Sequence, residues 1–129
     1  MKSATIICLA IVIGVITSCS HCEDSKDSKA VLYRINVDQP IIAEVQYRSA
    51  DGQTVSENVT SHSIISWHRT EFVDNAFQPY KKVKFLNISN ERVNYTLRLF
   101  VDGTMVHKKE GTIPPESEGT DEIQYSVIE

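Results

Sequence analysis

From Ala30 onward the apolar residues recur at every second position, the period of a strand and not the 3.6 of a helix. Val31, Tyr33, Ile35 and Val37 alternate with polar neighbours as far as Pro40. Ile41, Ala43, Val45 and Tyr47 repeat the pattern, Asp51-Gly52 supplies a hairpin turn, and Val55 and Val59 return. Ile64, Ile65 and Trp67 predict another strand running towards Phe72, and Asp74 to Pro79 predicts a loop. Val83 and Phe85 mark a short strand between lysines, with its turn at Ser89, Asn90 and Glu91. The clearest strand is Val93, Tyr95, Leu97, Leu99 and Val101, with Asn94, Thr96 and Arg98 facing out. Asp102-Gly103 predicts a second hairpin, Met105 to Lys109 the answering strand, and Ile113, Pro114 and Pro115 its end. An acidic loop to Glu122 then leads into Ile123, Tyr125 and Val127.

No stretch of this region sustains a helical apolar stripe. About seven or eight short strands, spaced ~8–12 residues apart, predict a single all-β domain over 30–129: an antiparallel, immunoglobulin-like β-sandwich. The expected core is Tyr33, Ile35, Val45, Tyr47, Val59, Trp67, Val83, Phe85, Tyr95, Leu97, Leu99, Val101, Ile123 and Tyr125.

The segment before this domain reads differently. Lys2 precedes an apolar run from Ala4 to Ile16, which is the form of a secretory signal peptide. The run is short for a membrane span, which needs about 20 apolar residues. It ends in Ile16, Thr17, Ser18 and Cys19. This pattern resembles the lipobox of bacterial lipoproteins, whose cysteine is acylated and becomes the first residue of the mature chain. The resemblance implies a signal peptide over 1–18 and a diacylglycerol on Cys19. The alternative is ordinary cleavage near Ser18 or Ser20, which releases a secreted chain. Residues 20–29 carry no aliphatic or aromatic side chain, so 19–29 is expected to be a tether.

Of the three cysteines, Cys8 falls in the leader, and none follows Cys22. The sandwich is therefore expected to have no disulfide and to rest on its core. Cys19 and Cys22 form a C-x-x-C, but a redox pair needs a strand followed by a helix N-terminus, and acylation would remove the Cys19 thiol.

A formal net charge of −4 argues against a non-specific nucleic-acid binder. Lys81, Lys82, Lys84, Lys108 and Lys109 form a possible patch for an anionic partner, or else guard edge strands. Glu116, Glu118, Asp121 and Glu122 concentrate acid near the C-terminus. Of the four histidines, His62 and His68 are too far apart along one straight strand to share an ion. His68, Glu71 and Asp74 are close in sequence, and exposed polar residues are their favoured reading. There is no nucleophile elbow, glycine-rich phosphate loop or evident carboxylate pair, so no enzyme, no cofactor, no metal and no small-molecule substrate are expected. Asn58, Asn87 and Asn94 each begin an N-glycosylation sequon, which has meaning only in a eukaryotic secreted chain.

Ala43, Val45, Tyr47, Ala50-Asp51-Gly52, Asn58-Val59, Trp67, and Leu99 to Gly103 with Val106 beyond form a pattern similar to the mycobacterial MmpS membrane-protein family. The resemblance covers about residues 31–110. It implies an exported β-sandwich that serves as an accessory to lipid or siderophore exporters. The chain departs from that family in lacking a cysteine pair in the sandwich and in having a leader of the cleaved type. The leader and charged tether also look like small lipoproteins of Bacteroidetes. The expectation is a non-catalytic binding module of the bacterial envelope, anchored through lipid on Cys19 and meeting an envelope protein partner. The alternatives are an exporter subunit and a secreted eukaryotic glycoprotein.

Overall fold

The computed structural model describes residues 28–59, 63–74 and 76–126. The leader, Cys19, Cys22, most of the expected tether, His62 and Val127 lie outside the described residues. Among the described residues eight strands form: β1 (Lys29–Val37), β2 (Ile42–Arg48), β3 (Thr54–Asn58), β4 (Ser66–Val73), β5 (Tyr80–Asn87), β6 (Val93–Val101), β7 (Thr104–Ile113) and β8 (Ser117–Gln124). They make two four-stranded antiparallel sheets, ordered β4-β1-β6-β7 and β3-β2-β5-β8. The first is the β1 sheet and the second the β2 sheet. The described residues are all-β, as the alternation predicts, and the sheets face each other as a sandwich around one buried cluster.

Only β2–β3 and β6–β7 are hairpins within a sheet; every other connection passes from one sheet to the other. The β6–β7 turn has φ of 49° at Asp102 and 81° at Gly103. Positive φ at both central residues matches a type I′ turn, whose twist suits a two-residue hairpin. Asp102 also accepts a hydrogen bond from the Ala30 backbone N–H at 2.9 Å, which ties this turn to the start of β1.

Odd-numbered residues of β1 and β6 point inward, where Val31, Tyr33, Ile35, Val93, Leu97 and Leu99 have no exposure. Phe85 stacks on Tyr95 across the sandwich at 4.5 Å, and Trp67 lies 5.7 Å from Tyr47. Twelve of the fourteen expected core residues are buried; Val101 and Tyr125 are partly buried and lie against the core. Val31, Val37, Ile41, Ile42, Val73, Phe77, Val93 and Ile113 belong to it as well.

Two local expectations are corrected. The register slips between Ile42 and Glu44, so Ile41 and Ile42 are both buried while Ala43 is only half-buried. A bulge of this kind inserts one residue and reverses the faces beyond it. The acidic segment read as a loop is strand β8, paired with β5 from Ser117↔Asn87 to Gln124↔Tyr80. Its inward positions before the buried Ile123 are Ser117, Gly119 and Asp121, so the acidic part shows no apolar alternation. Gly119 faces Ile113 so closely that a Cβ there would collide with that side chain.

Candidate binding surface

The outer face of the β1 sheet is built by the residues between the core positions. Register places His68 opposite Arg34, Arg34 opposite Arg98, and Arg98 opposite Lys108. One basic side chain from each of four neighbouring strands thus stands in a single row. With strands ~4.8 Å apart, the row is about 14 Å wide. The next row, towards the start of β1, is Thr70, Leu32, Phe100 and Met105, and beyond it Phe72 lies opposite Ala30. Phe72 is 68% exposed and Met105 48%. On the other side of the basic row stand Ser66, Asn36, Thr96 and Glu110.

Few acids answer the charges of Arg34, Arg98 and Lys108. Lys108 meets Glu110 at 2.8 Å, and Arg98 donates to the Asn36 amide oxygen at 3.0 Å. The Arg34 guanidinium lies 5.4 Å from the centre of the Phe100 ring, a cation–π distance. The face therefore joins a basic row to an exposed aromatic and aliphatic end.

The five lysines picked out in sequence do not share a surface. Lys82 and Lys84 point out from the β2 sheet, where Lys84 lies 3.5 Å from Glu44 and Lys82 stands opposite Glu122. Lys108 is on the opposite face of the molecule, in the basic row. Lys109 points inward at the edge and binds Asp121 at 2.6 Å. Lys81 is fully buried, because the alternation that turns Val83 and Phe85 inward turns Lys81 with them. Its Nζ crosses the sandwich and donates to the backbone oxygens of Arg34 at 2.7 Å and Arg98 at 3.2 Å. Burial lowers its pKa to about 7. A lysine expected on the surface thus sits directly behind the basic row.

Other polar groups close the sandwich. The Tyr33 hydroxyl donates to the Arg48 backbone oxygen at 2.9 Å and accepts from the Tyr80 N–H at 3.4 Å, joining the two sheets. Burial raises its pKa. Between edge strands β7 and β8, Tyr95 donates to Asp121 at 2.6 Å while Lys109 binds the other carboxylate oxygen. Desolvation pushes the Asp121 pKa up, but the hydrogen bonds from Lys109 and Tyr95 outweigh it and hold it below the usual value.

His68, Glu71 and Asp74 are not brought together as a site. His68 points outward, Glu71 sits on the inner side 3.6 Å from Arg69, and Asp74 lies beyond the strand. Among the described residues no group of three His, Cys, Asp or Glu side chains is placed to hold a metal ion. The sequon asparagines separate too. Asn87 is buried, and its amide nitrogen donates to the backbone oxygens of Glu91 at 2.7 Å, Ile113 at 3.2 Å and Pro114 at 3.0 Å. Asn58 and Asn94 are exposed. No protein-family model matches this chain, and no curated protein does.

Arg34 and Arg98 were not singled out in sequence. Their outward direction is legible, since each lies between two apolar core positions. Their juxtaposition is not, because the register of strands sixty residues apart carries no local signal.

Proposed function

We propose that this protein is a non-catalytic binding module of the bacterial envelope, held at a membrane by diacylglycerol on Cys19. The observation that carries the reading is the outer face of the β1 sheet. Its row of His68, Arg34, Arg98 and Lys108 beside exposed Phe72 and Met105 supports a role as a contact surface. The lipobox-like Ile16 to Cys19 supports the anchor. A narrower form, an accessory subunit of a lipid or siderophore exporter, is supported by the MmpS-like pattern.

The test is intact mass and N-terminal mapping of the protein from its native membranes. The expected product begins at an acylated Cys19 and carries no sugar. A chain that is unlipidated and bears sugar at Asn58 or Asn94 overturns the proposal in favour of a secreted glycoprotein. For the narrower form, deletion of the protein should lower the amount of exported lipid or siderophore; unchanged export removes it.

A further inference from the structure

We infer that the outer face of the β1 sheet lies flat on an anionic phospholipid bilayer. In this pose Arg34, Arg98, Lys108 and His68 meet the phosphates, while Phe72 and Met105 enter the boundary between headgroups and acyl chains.

Three observations point the same way. The first is charge. The chain is acidic overall, with a formal net charge of −4, yet this face carries a row of basic side chains. The nearest acids are Glu110, held by Lys108, and Asp102, held by the Ala30 N–H. An acidic protein that gathers cations on one face has that face attracted to, and the rest repelled from, a negative surface.

The second is the order of chemistry along the strands. Leu32, Phe100, Met105 and Phe72 dominate the rows nearest the start of β1, with Thr70 at their edge, and the basic side chains form the adjoining row. Aromatic and apolar groups bordered by cations match the layering of a bilayer interface, where amphipathic surfaces bury apolar groups a few ångströms deep. An acidic protein would meet the same cations, and it is the partner favoured if anionic vesicles fail to bind.

The third is where the chain arrives. β1 begins at Lys29, and Phe72 lies opposite Ala30, so the apolar end of the face is the end that leads back to Cys19. Nine residues, Ser20 to Ser28, separate the two, and fully extended they reach at most about 30 Å. This third argument rests on the proposed anchor; the first two do not. One acyl anchor binds reversibly, and a basic surface is the second signal that makes membrane residence stable.

The experiment uses the unlipidated chain from Ser20 to Glu129, since every strand and every buried residue described lies at or beyond Lys29. It is sedimented with vesicles of phosphatidylglycerol and phosphatidylcholine, and with phosphatidylcholine alone. Binding is expected only with the anionic vesicles and should fall steeply as salt is added. Each basic residue at such a surface strengthens binding about fivefold, so the Arg34→Gln, Arg98→Gln double variant should lose roughly 25-fold. Phe72→Ser should weaken binding several-fold at an exposed position that tolerates serine. Lys82→Gln with Lys84→Gln, on the other sheet, should leave binding unchanged.

No sedimentation with anionic vesicles overturns the inference, and so does equal loss from the variants of either face. Thermal melts of each variant separate lost binding from lost folding. If the double variant fails to fold, Phe72→Ser and the salt dependence of the native chain decide. Because the probe lacks the lipid, its failure leaves the Cys19 reading standing, and N-terminal mapping can fail without touching the vesicle result.

Discussion

The two outer faces of the sandwich are made by the same alternation and carry opposite electrostatic designs. On the β2 sheet Lys84 has an acid within reach, Lys82 stands opposite one, and Arg48 donates to the Gln78 backbone oxygen. Glu44 accepts from Ser56 and Gln46 and lies beside Lys84, and Glu122 accepts from Tyr80 opposite Lys82. Arg48 lies 5.8 Å from the Tyr80 ring centre. On the β1 sheet, Arg34 and Arg98 stand side by side with no carboxylate between them. Like charges placed directly opposite on neighbouring strands oppose pairing. The β2 face is a solvated surface that satisfies itself. On the β1 face, among the described residues, no ion pair holds Arg34 or Arg98.

The largest expected effect tests what holds the basic row in place. Lys81 ties the β2 sheet to the backbone of Arg34 and Arg98. Lys81→Ala should cost about 2–5 kcal/mol in chemical denaturation by leaving a cavity and cutting that link. Lys81→Met keeps the volume and should fold at least as stably as the native chain at neutral pH. The pH profile then sharpens the point. The folded pKa of Lys81 is lowered from 10.5 to about 7, so between these values the unfolded chain holds a proton that the folded one has released. Native stability should therefore rise with pH across that window and stay level below it; Lys81→Met should lack the rise. A rise that persists in the variant assigns it to another group.

Next comes the edge where the two faces meet. Asp121→Ala strands the Tyr95 hydroxyl and Lys109 and should cost about 1–3 kcal/mol. The pKa of Asp121 is held below its usual 3.8, so its contribution is present above that value and disappears as pH falls through and below it. Acid melts of the native chain and of Asp121→Asn should converge there. Gly111→Ala should be more damaging than Gly119→Ala, as read by melting temperature. The new Cβ at Gly111 meets Tyr95, which is held by Phe85 and Asp121, whereas Ile113 can turn its terminal methyl away from Gly119. The smallest effect is on the self-satisfied face: Lys84→Ala removes an exposed ion pair and should leave the melting temperature unchanged.

How much of this was legible can be seen residue by residue. The period-two pattern of Val93 to Val101 and the two Asp-Gly turns declared their strands because burial and turn chemistry are local. Strand β8 declared only its end, at Ile123; the acidic part before it did not, because its inward positions include a glycine and an aspartate fitted to Ile113 and Tyr95 of the other sheet. Its existence is decided by β5, thirty-odd residues earlier. Lys81 carried a signal, its parity with Val83 and Phe85, that conflicted with its charge; the carbonyl oxygens that resolve the conflict lie on distant strands. The basic row failed for the same reason. Each member is unremarkable alone, and only long-range register turns them into a surface.

The position of β1 has a consequence for how the molecule is made. It is an inner strand, yet both of its neighbours come much later in the chain: Val31 pairs with Glu71 on one side and with Val101 on the other. A chain that emerges from its N-terminus has no partner for this strand until most of the protein has been synthesised. Topologies ruled by such distant pairings fold slowly, in milliseconds to seconds. The first strand therefore waits unpaired while the β2–β3 hairpin can already form, and the sandwich closes only after the last third of the chain has arrived.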